Sequence, residues 1–195
     1  MKSNSEGTEK MAKENNIENQ DKISSSGQVN SEDKELNIVR TLNAPKDLVY
    51  KTFIEPSYLE RWWGPYNCQK SVVELDPIVG GKISIKMTIT GGKEVNLTGE
   101  FYEIIENEKI AFTTGPADTS NGAFDVVNLN TVLFEENNGK TNLILNVKML
   151  KAAGVQAKFA FQGMVKGFSE SLVKLEELIK ELYVKNNNKR KIINK

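Results

Sequence analysis

Residues 157–184 read AKFAFQGMVKGFSESLVKLEELIKELYV, and the fold depends on how this stretch pairs with the rest of the chain. Its apolar residues Phe161, Met164, Val165, Phe168, Leu172, Leu175, Ile179 and Leu182 recur three and four apart, which gathers them on one face of a long helix. A face of that length has to be covered. Residues 82–90 show what covers it: Ile83, Ile85, Met87 and Ile89 alternate with Lys82, Ser84, Lys86 and Thr88, the period of a strand with one buried side and one wet side.

Working outward from that strand, Gly91-Gly92 signals a hairpin into Val95, Leu97, Gly99 and Phe101. Glu103-Ile104-Ile105 breaks the alternation, which predicts a bulge, and Asn107-Glu108 turns the chain into Ile110-Ala111-Phe112. Residues 113–122 are expected to form a polar loop around Gly115-Pro116. Strands are predicted over 124–134 and 141–150, joined by Asn137-Asn138-Gly139. Upstream, 68–75 is strand-like and 76–81 is a turn. Before these, Leu36, Ile38 and Leu42 mark a first strand, with Val39 facing the other way. Pro45, whose φ is already helical, is expected at the first position of a helix carrying Leu48, Val49, Thr52 and Phe53. That helix stops before Pro56, and Ser57 is expected to cap a second short one that Gly64-Pro65 ends. Consecutive hairpins, with helices kept to the start and the end, make the fold class α+β and exclude a wound parallel sheet.

The chain divides into three parts. Residues 1–34 are rich in Ser, Asn, Glu and Lys and lack aromatics. They cannot bury enough apolar surface to offset an ordering entropy of about 1–2 kcal/mol per residue, so a disordered N-terminal tail is expected. Residues 35–184 form one domain, and 185–195 a basic C-terminal tail that complements the dipole of the preceding helix.

Of the 195 residues, 26 are basic and 26 acidic, so overall charge recommends no nucleic-acid partner. The N-terminus has no signal-peptide core, and no apolar run reaches the roughly 20 residues of a membrane span. A single cysteine, Cys68, forms no internal disulfide, and together these features predict a cytoplasmic protein. The sequence contains no histidine. Imidazole-based triads, His-Glu-x-x-His zinc sites and imidazole acid/base catalysis are thereby excluded. Gly80-Gly81-Lys82 lacks the spacing of a phosphate loop, and no metal or cofactor motif is present.

Read in order, Asn43-Ala44-Pro45, Val49-Tyr50, Thr52-Phe53, Leu59, Arg61-Trp62-Trp63-Gly64-Pro65, Asp76-Pro77-x-x-Gly80-Gly81 and Gln162-Gly163-Met164-x-x-Gly167-Phe168-x-x-x-Leu172 resemble the START-like superfamily. More narrowly, they resemble small proteins related to the C-terminal domain of the activator of the ninety-kilodalton heat-shock chaperone's ATPase. The resemblance implies a helix-grip fold, in which a curved antiparallel sheet wraps a long C-terminal helix and two short helices follow the first strand. It implies three functional readings: a carrier of a small hydrophobic or amphipathic ligand, a co-chaperone module acting on that chaperone, or a cyclase- or hydrolase-like enzyme. Fold alone does not choose among them.

The ligand reading has candidate residues. A cavity between helix and sheet would be lined by Phe53, Trp62, Trp63, Ile85, Met87, Leu97, Phe101, Phe112, Leu133, Leu145, Phe161, Met164, Val165, Phe168 and Leu172. A filled core would require the same residues in the same period. Gly163 and Gly167 share a helix face at about 1 kcal/mol each relative to alanine, so close approach of another backbone or of a ligand is expected there, packing against the Trp62-Trp63 helix ahead of ligand contact. Adjacent helical positions point about 100° apart, so one tryptophan is expected in the core and the other at a lip. Arg61 is expected to pair with Glu55 or Glu60 ahead of holding a ligand's acidic group, Cys68 to be a small buried residue, and Glu74, Asp76 and Glu103 are the carboxylates available to an enzyme.

Overall fold

The computed structural model describes residues 27–30, 35–117, 126–151 and 154–193. Among them, eight strands form one antiparallel sheet: β1 (Gly27–Asn30), β2 (Glu35–Leu42), β3 (Cys68–Leu75), β4 (Lys82–Ile89), β5 (Lys93–Ile105), β6 (Lys109–Pro116), β7 (Val127–Asn137) and β8 (Lys140–Lys151). Their order across the sheet is β1-β2-β8-β7-β6-β5-β4-β3, so β2 crosses to pair with β8 and every later neighbour is a hairpin partner. Two short helices, α1 (Lys46–Ile54) and α2 (Pro56–Trp62), follow β2, and a long helix, α3 (Gly154–Ile193), comes after β8. The α+β helix-grip arrangement implied by the sequence is the one observed.

The alternating patterns become faces. Leu36, Ile38 and Leu42 of β2, Ile83, Ile85 and Met87 of β4, Val132 and Phe134 of β7, and Leu143, Leu145 and Val147 of β8 are all buried on the side that faces α3. From the helix, Leu172, Leu175, Leu178, Ile179 and Leu182 meet them. Burying a side chain of this size stabilises by about 1.5–3 kcal/mol. The β7–β8 turn takes positive φ at Asn138 (53°) and Gly139 (73°), the paired left-handed conformation of a two-residue hairpin. The expected bulge falls between Phe101 and Glu103. Close to it, Gly99 lets the β5 backbone come so near β6 that a Cβ there would lie 1.8 Å from the Thr113 carbonyl oxygen.

Several expectations are corrected. Gly27–Asn30, expected in the tail, pairs with β2 as an edge strand, because backbone pairing to an open edge needs no apolar run of its own. The rest of the expected tail, residues 1–26 and 31–34, lies outside the described residues. Pro45 is the cap of α1 and not its first helical residue, while Glu55 and Pro56 take the cap and first position of α2 in place of Ser57. Residues 113–116, expected as loop, continue β6, since Thr114 is buried and Gly115 and Pro116 pair with Thr98 and Leu97. Residues 118–125, the remainder of that loop and the expected start of the next strand, are outside the described residues. α3 extends past Val184 to Ile193 and so takes in the basic stretch expected as a tail.

Polar contacts fix α3 on the sheet and the short helices. Arg40 of β2 pairs with Glu176 at 3.3 Å, where burial pushes the guanidinium pKa down and Glu176 pulls it back. Arg61 of α2 pairs with Glu181 at 2.5 Å and not with Glu55 or Glu60. The hydrogen bond from Arg61 holds the Glu181 carboxyl below its ordinary value. Glu60 instead accepts from the Val73 N–H, and Glu170 from the Tyr66 N–H.

Candidate functional site: a cavity under the long helix

Along α3, Leu172, Leu175, Leu178, Ile179 and Leu182 are packed into the core, whereas Met164, Val165 and Phe168 one to two turns earlier are only half-buried. Between residues 163 and 171 of the helix and strands β4 to β7 lies a cavity of about 530 Å³. Its apolar lining comes from Trp63, Met87, Val95, Leu97, Met164 and Phe168, together with Pro65, Pro116 and Val126. Polar groups enter from Asn96, Thr114, Asn128 and Ser171, and among the described residues Lys93 and Glu94 are the ionisable ones of the lining.

Two glycines of α3 border this space. A Cβ placed on Gly163 or Gly167 would meet nothing within 4 Å. The packing against the Trp62-Trp63 helix expected from the sequence is therefore absent, and these two positions face open volume. Both border the cavity, Gly163 exposed and Gly167 half-buried.

Trp63 forms the inner wall. It lies one residue beyond the last turn of α2, with an extended ψ of 133°, so the angular rule for adjacent helical residues does not apply to it. Both tryptophans are buried and in contact, their rings 5.6 Å apart. Trp62 belongs to the core, its indole N–H donating to the Thr52 carbonyl and its ring packing on Phe53. Trp63 carries that aromatic cluster to the cavity by meeting Phe168 edge-on at 5.6 Å. The chain then turns at Gly64, whose φ is 103° and whose Cβ would lie 2.9 Å from Met87 Sδ. Ser171 locks this turn to α3: its hydroxyl accepts from Gly64 N–H at 3.0 Å and donates its one proton toward the carbonyls of Gly64 (3.1 Å) and Gly167 (2.7 Å).

Of the candidates read from sequence, Trp63, Met87, Leu97, Met164 and Phe168 come together around the cavity. Phe53, Trp62, Ile85, Phe101, Phe112, Leu145 and Leu172 are buried in the core, not in the cavity lining. Phe161 is buried and Val165 half-buried, also apart from the lining. Leu133 is on the wrong side: it pairs with Ile144, while its neighbours Val132 and Phe134 face the helix, so register sends Leu133 outward. Gly64, Thr114, Asn128, Gly163, Gly167 and Ser171 line the space although apolar patterning does not single them out as ligand residues. Of these, only the two helical glycines carry a sequence signal, an unexplained helix cost.

The other chemistry considered does not assemble. Glu74 and Asp76 stand away from the cavity, and Glu103 pairs with Lys109 at 2.6 Å. Cys68 is half-buried, with its thiol toward the Lys70 carbonyl at 3.3 Å. Among the described residues no cluster of His, Cys, Asp and Glu could hold a metal ion, and no helix is long and apolar enough to cross a membrane.

A curved antiparallel sheet gripping a long terminal helix over a partly open interior defines a START-like, helix-grip protein. The family described as "Activator of Hsp90 ATPase homolog 1-like protein" matches residues 43–180, more than half of the chain, and the chain belongs to it. Solved structures agree in fold. A protein from Arthrobacter aurescens, known from solution NMR, is 25% identical with a TM-score of 0.70 over 80% of this chain and 91% of its own. A crystal structure of a Mycobacterium smegmatis protein is 23% identical, with a TM-score of 0.67 over 80% of this chain and 98% of its own. A Staphylococcus aureus protein described as of unknown function is 18% identical, with a TM-score of 0.59 over 81% and 96%. No curated protein matches the chain.

Proposed function

We propose that this chain is a cytoplasmic, non-catalytic binding protein that holds a small hydrophobic or amphipathic molecule between α3 and the sheet. The observation that carries the reading is the cavity itself: about 530 Å³ with a mostly apolar wall, bordered by two glycines of the long helix. Ligand sites for small molecules typically measure about 300–1,000 Å³ and have this composition, many apolar groups with a few placed polar ones. Two interior glycines destabilise a helix by about 1 kcal/mol each, a cost that a filled core would not require. A catalytic reading has less to stand on, because the described lining offers one carboxylate, Glu94, and the chain has no imidazole.

Trp63 lines the cavity and Trp62 touches Trp63, so intrinsic fluorescence reports occupancy directly. Titration with long-chain alcohols, fatty acids and bicyclic aromatics is expected to give a saturable change for at least one class. The double variant Gly163→Leu/Gly167→Leu, which fills the space, is expected to weaken that binding by more than about tenfold, or 1.4 kcal/mol. No response to any class, or unchanged affinity in the filled variant, would end the reading.

A further inference from the structure

The lining has two ionisable residues, Lys93 and Glu94, and the register of the sheet puts their side chains on opposite faces. β5 pairs with β4 so that Ile85 stands opposite Leu97, Met87 opposite Val95 and Ile89 opposite Lys93. Ile85 and Met87 are buried toward α3, so Leu97, Val95 and Lys93 share that face, and Phe101, further along the same alternation, is buried there too. Glu94 falls on the outer face, opposite Thr88, and carries its carboxylate away from the cavity side. Along β5 the cavity face therefore runs from half-buried Leu97 and Val95 to exposed Lys93, which stands about 13 Å from Leu97 at the hairpin end. Among the described residues Lys93 makes no ion pair. Across the mouth on α3, Lys166 and Glu170 lie 3.9 Å from each other and outside the lining.

Resting on the binding reading above, we propose that Lys93 sets the specificity for the ligand's head: the cavity takes an amphiphile whose apolar body lies against Trp63, Met87, Leu97, Met164 and Phe168 and whose ionised carboxylate meets the Lys93 ammonium at the rim. The ammonium offers three donors and a carboxylate only accepts, so the two are complementary in hydrogen bonding as well as in charge. Because Lys93 is exposed, the head stays in water, and the pair forms without the desolvation cost that a buried ion pair incurs. A cationic head would meet a like charge, and a neutral head would gain nothing from it. With 26 basic and 26 acidic residues the chain has no overall field that favours anions, so such a preference has to arise at the mouth.

The test uses the full chain and three ligands with one ten-carbon chain, decanoate, 1-decanol and decylammonium, titrated by tryptophan fluorescence at pH 7, where the first is an anion and the last a cation. Decanoate is expected to bind about two- to fivefold more tightly than decanol, the range of a solvent-exposed ion pair, and decylammonium more weakly than decanol. In 1 M salt, where the screening length falls to about 3 Å, the three affinities are expected to converge. Lys93→Met is expected to remove the decanoate advantage and Lys93→Glu to reverse the order of the two ions, both with the decanol affinity unchanged, whereas Glu94→Gln is expected to keep the wild-type order. Equal affinities across the wild-type series, a preference for decylammonium, or a decanoate advantage that survives Lys93→Met would each overturn the assignment of the head to Lys93 and leave cavity binding standing. No binding by any of the three, alongside the failure of every class in the broader titration, would remove the binding reading itself.

Discussion

At the scale of single residues, Ser171 does more than its sequence context suggests. One turn beyond Gly167, its hydroxyl joins the backbone of α3 to the turn that follows Trp63, across 107 residues of chain. Gly64 cannot be replaced cheaply, because of its left-handed φ and because a Cβ there would stand 2.9 Å from Met87 Sδ. Removing the hydroxyl leaves the Gly64 N–H buried without an acceptor. Ser171→Ala is expected to lower stability by about 1–3 kcal/mol, the usual penalty for an orphaned buried donor. Urea denaturation would read it as a lower midpoint with an unchanged slope. A variant within about 0.5 kcal/mol of the parent, the range of neutral surface changes, would show that the turn does not depend on the hydroxyl. No sequence pattern announces such a contact, since its meaning depends on which distant backbone the fold delivers to it.

At the scale of elements, patterns of period two and period 3.6 are enough to place β3, β4 and both short helices within a residue or two. They fail where a pattern carries no direction. In β7, Val132, Leu133 and Phe134 are consecutive apolar residues, so alternation cannot say which set faces inward, and the register with β8 decides against Leu133. The end of β6 escapes the pattern because Thr114-Gly115-Pro116 has turn composition, yet Thr114 satisfies a buried asparagine and the segment pairs with β5. The glycines of α3 are visible as an anomaly, but sequence does not distinguish close packing from open space. The structure makes that distinction testable: with nothing within 4 Å of its Cβ position, Gly163→Ala adds no clash and removes a helix penalty. It is expected to raise stability by about 0.8–1 kcal/mol. For a chain of this size that corresponds to roughly 2–4 °C in Tm, readable by calorimetry. Destabilisation would mean that something does pack against that turn.

At the scale of the whole molecule, α3 is two environments on one rod. From Leu172 to Leu182 it drives five apolar side chains into the sheet's concave face and is tied laterally by Arg40–Glu176 and Arg61–Glu181. From Gly163 to Phe168 it spans a cavity, with Met164, Val165 and Phe168 only half-buried. Local opening is easiest where buried apolar contacts are fewest, so the two halves should not share one opening free energy. Amide hydrogen exchange is therefore expected to be slow and near the global limit for residues 172–182. It should be faster for residues 163–168, although both segments belong to one uninterrupted helix. Filling the cavity supplies the missing contacts, so saturation with a cavity ligand, or the Gly163→Leu/Gly167→Leu change, is expected to slow exchange in 163–168 selectively. The 172–182 segment should move only by the overall gain in stability, which binding to the folded state alone sets at about 2.7 kcal/mol when ligand stands at a hundred times its Kd. Uniform protection along α3 in the free protein would contradict this division, and would mean that the cavity is closed by the surrounding structure in solution.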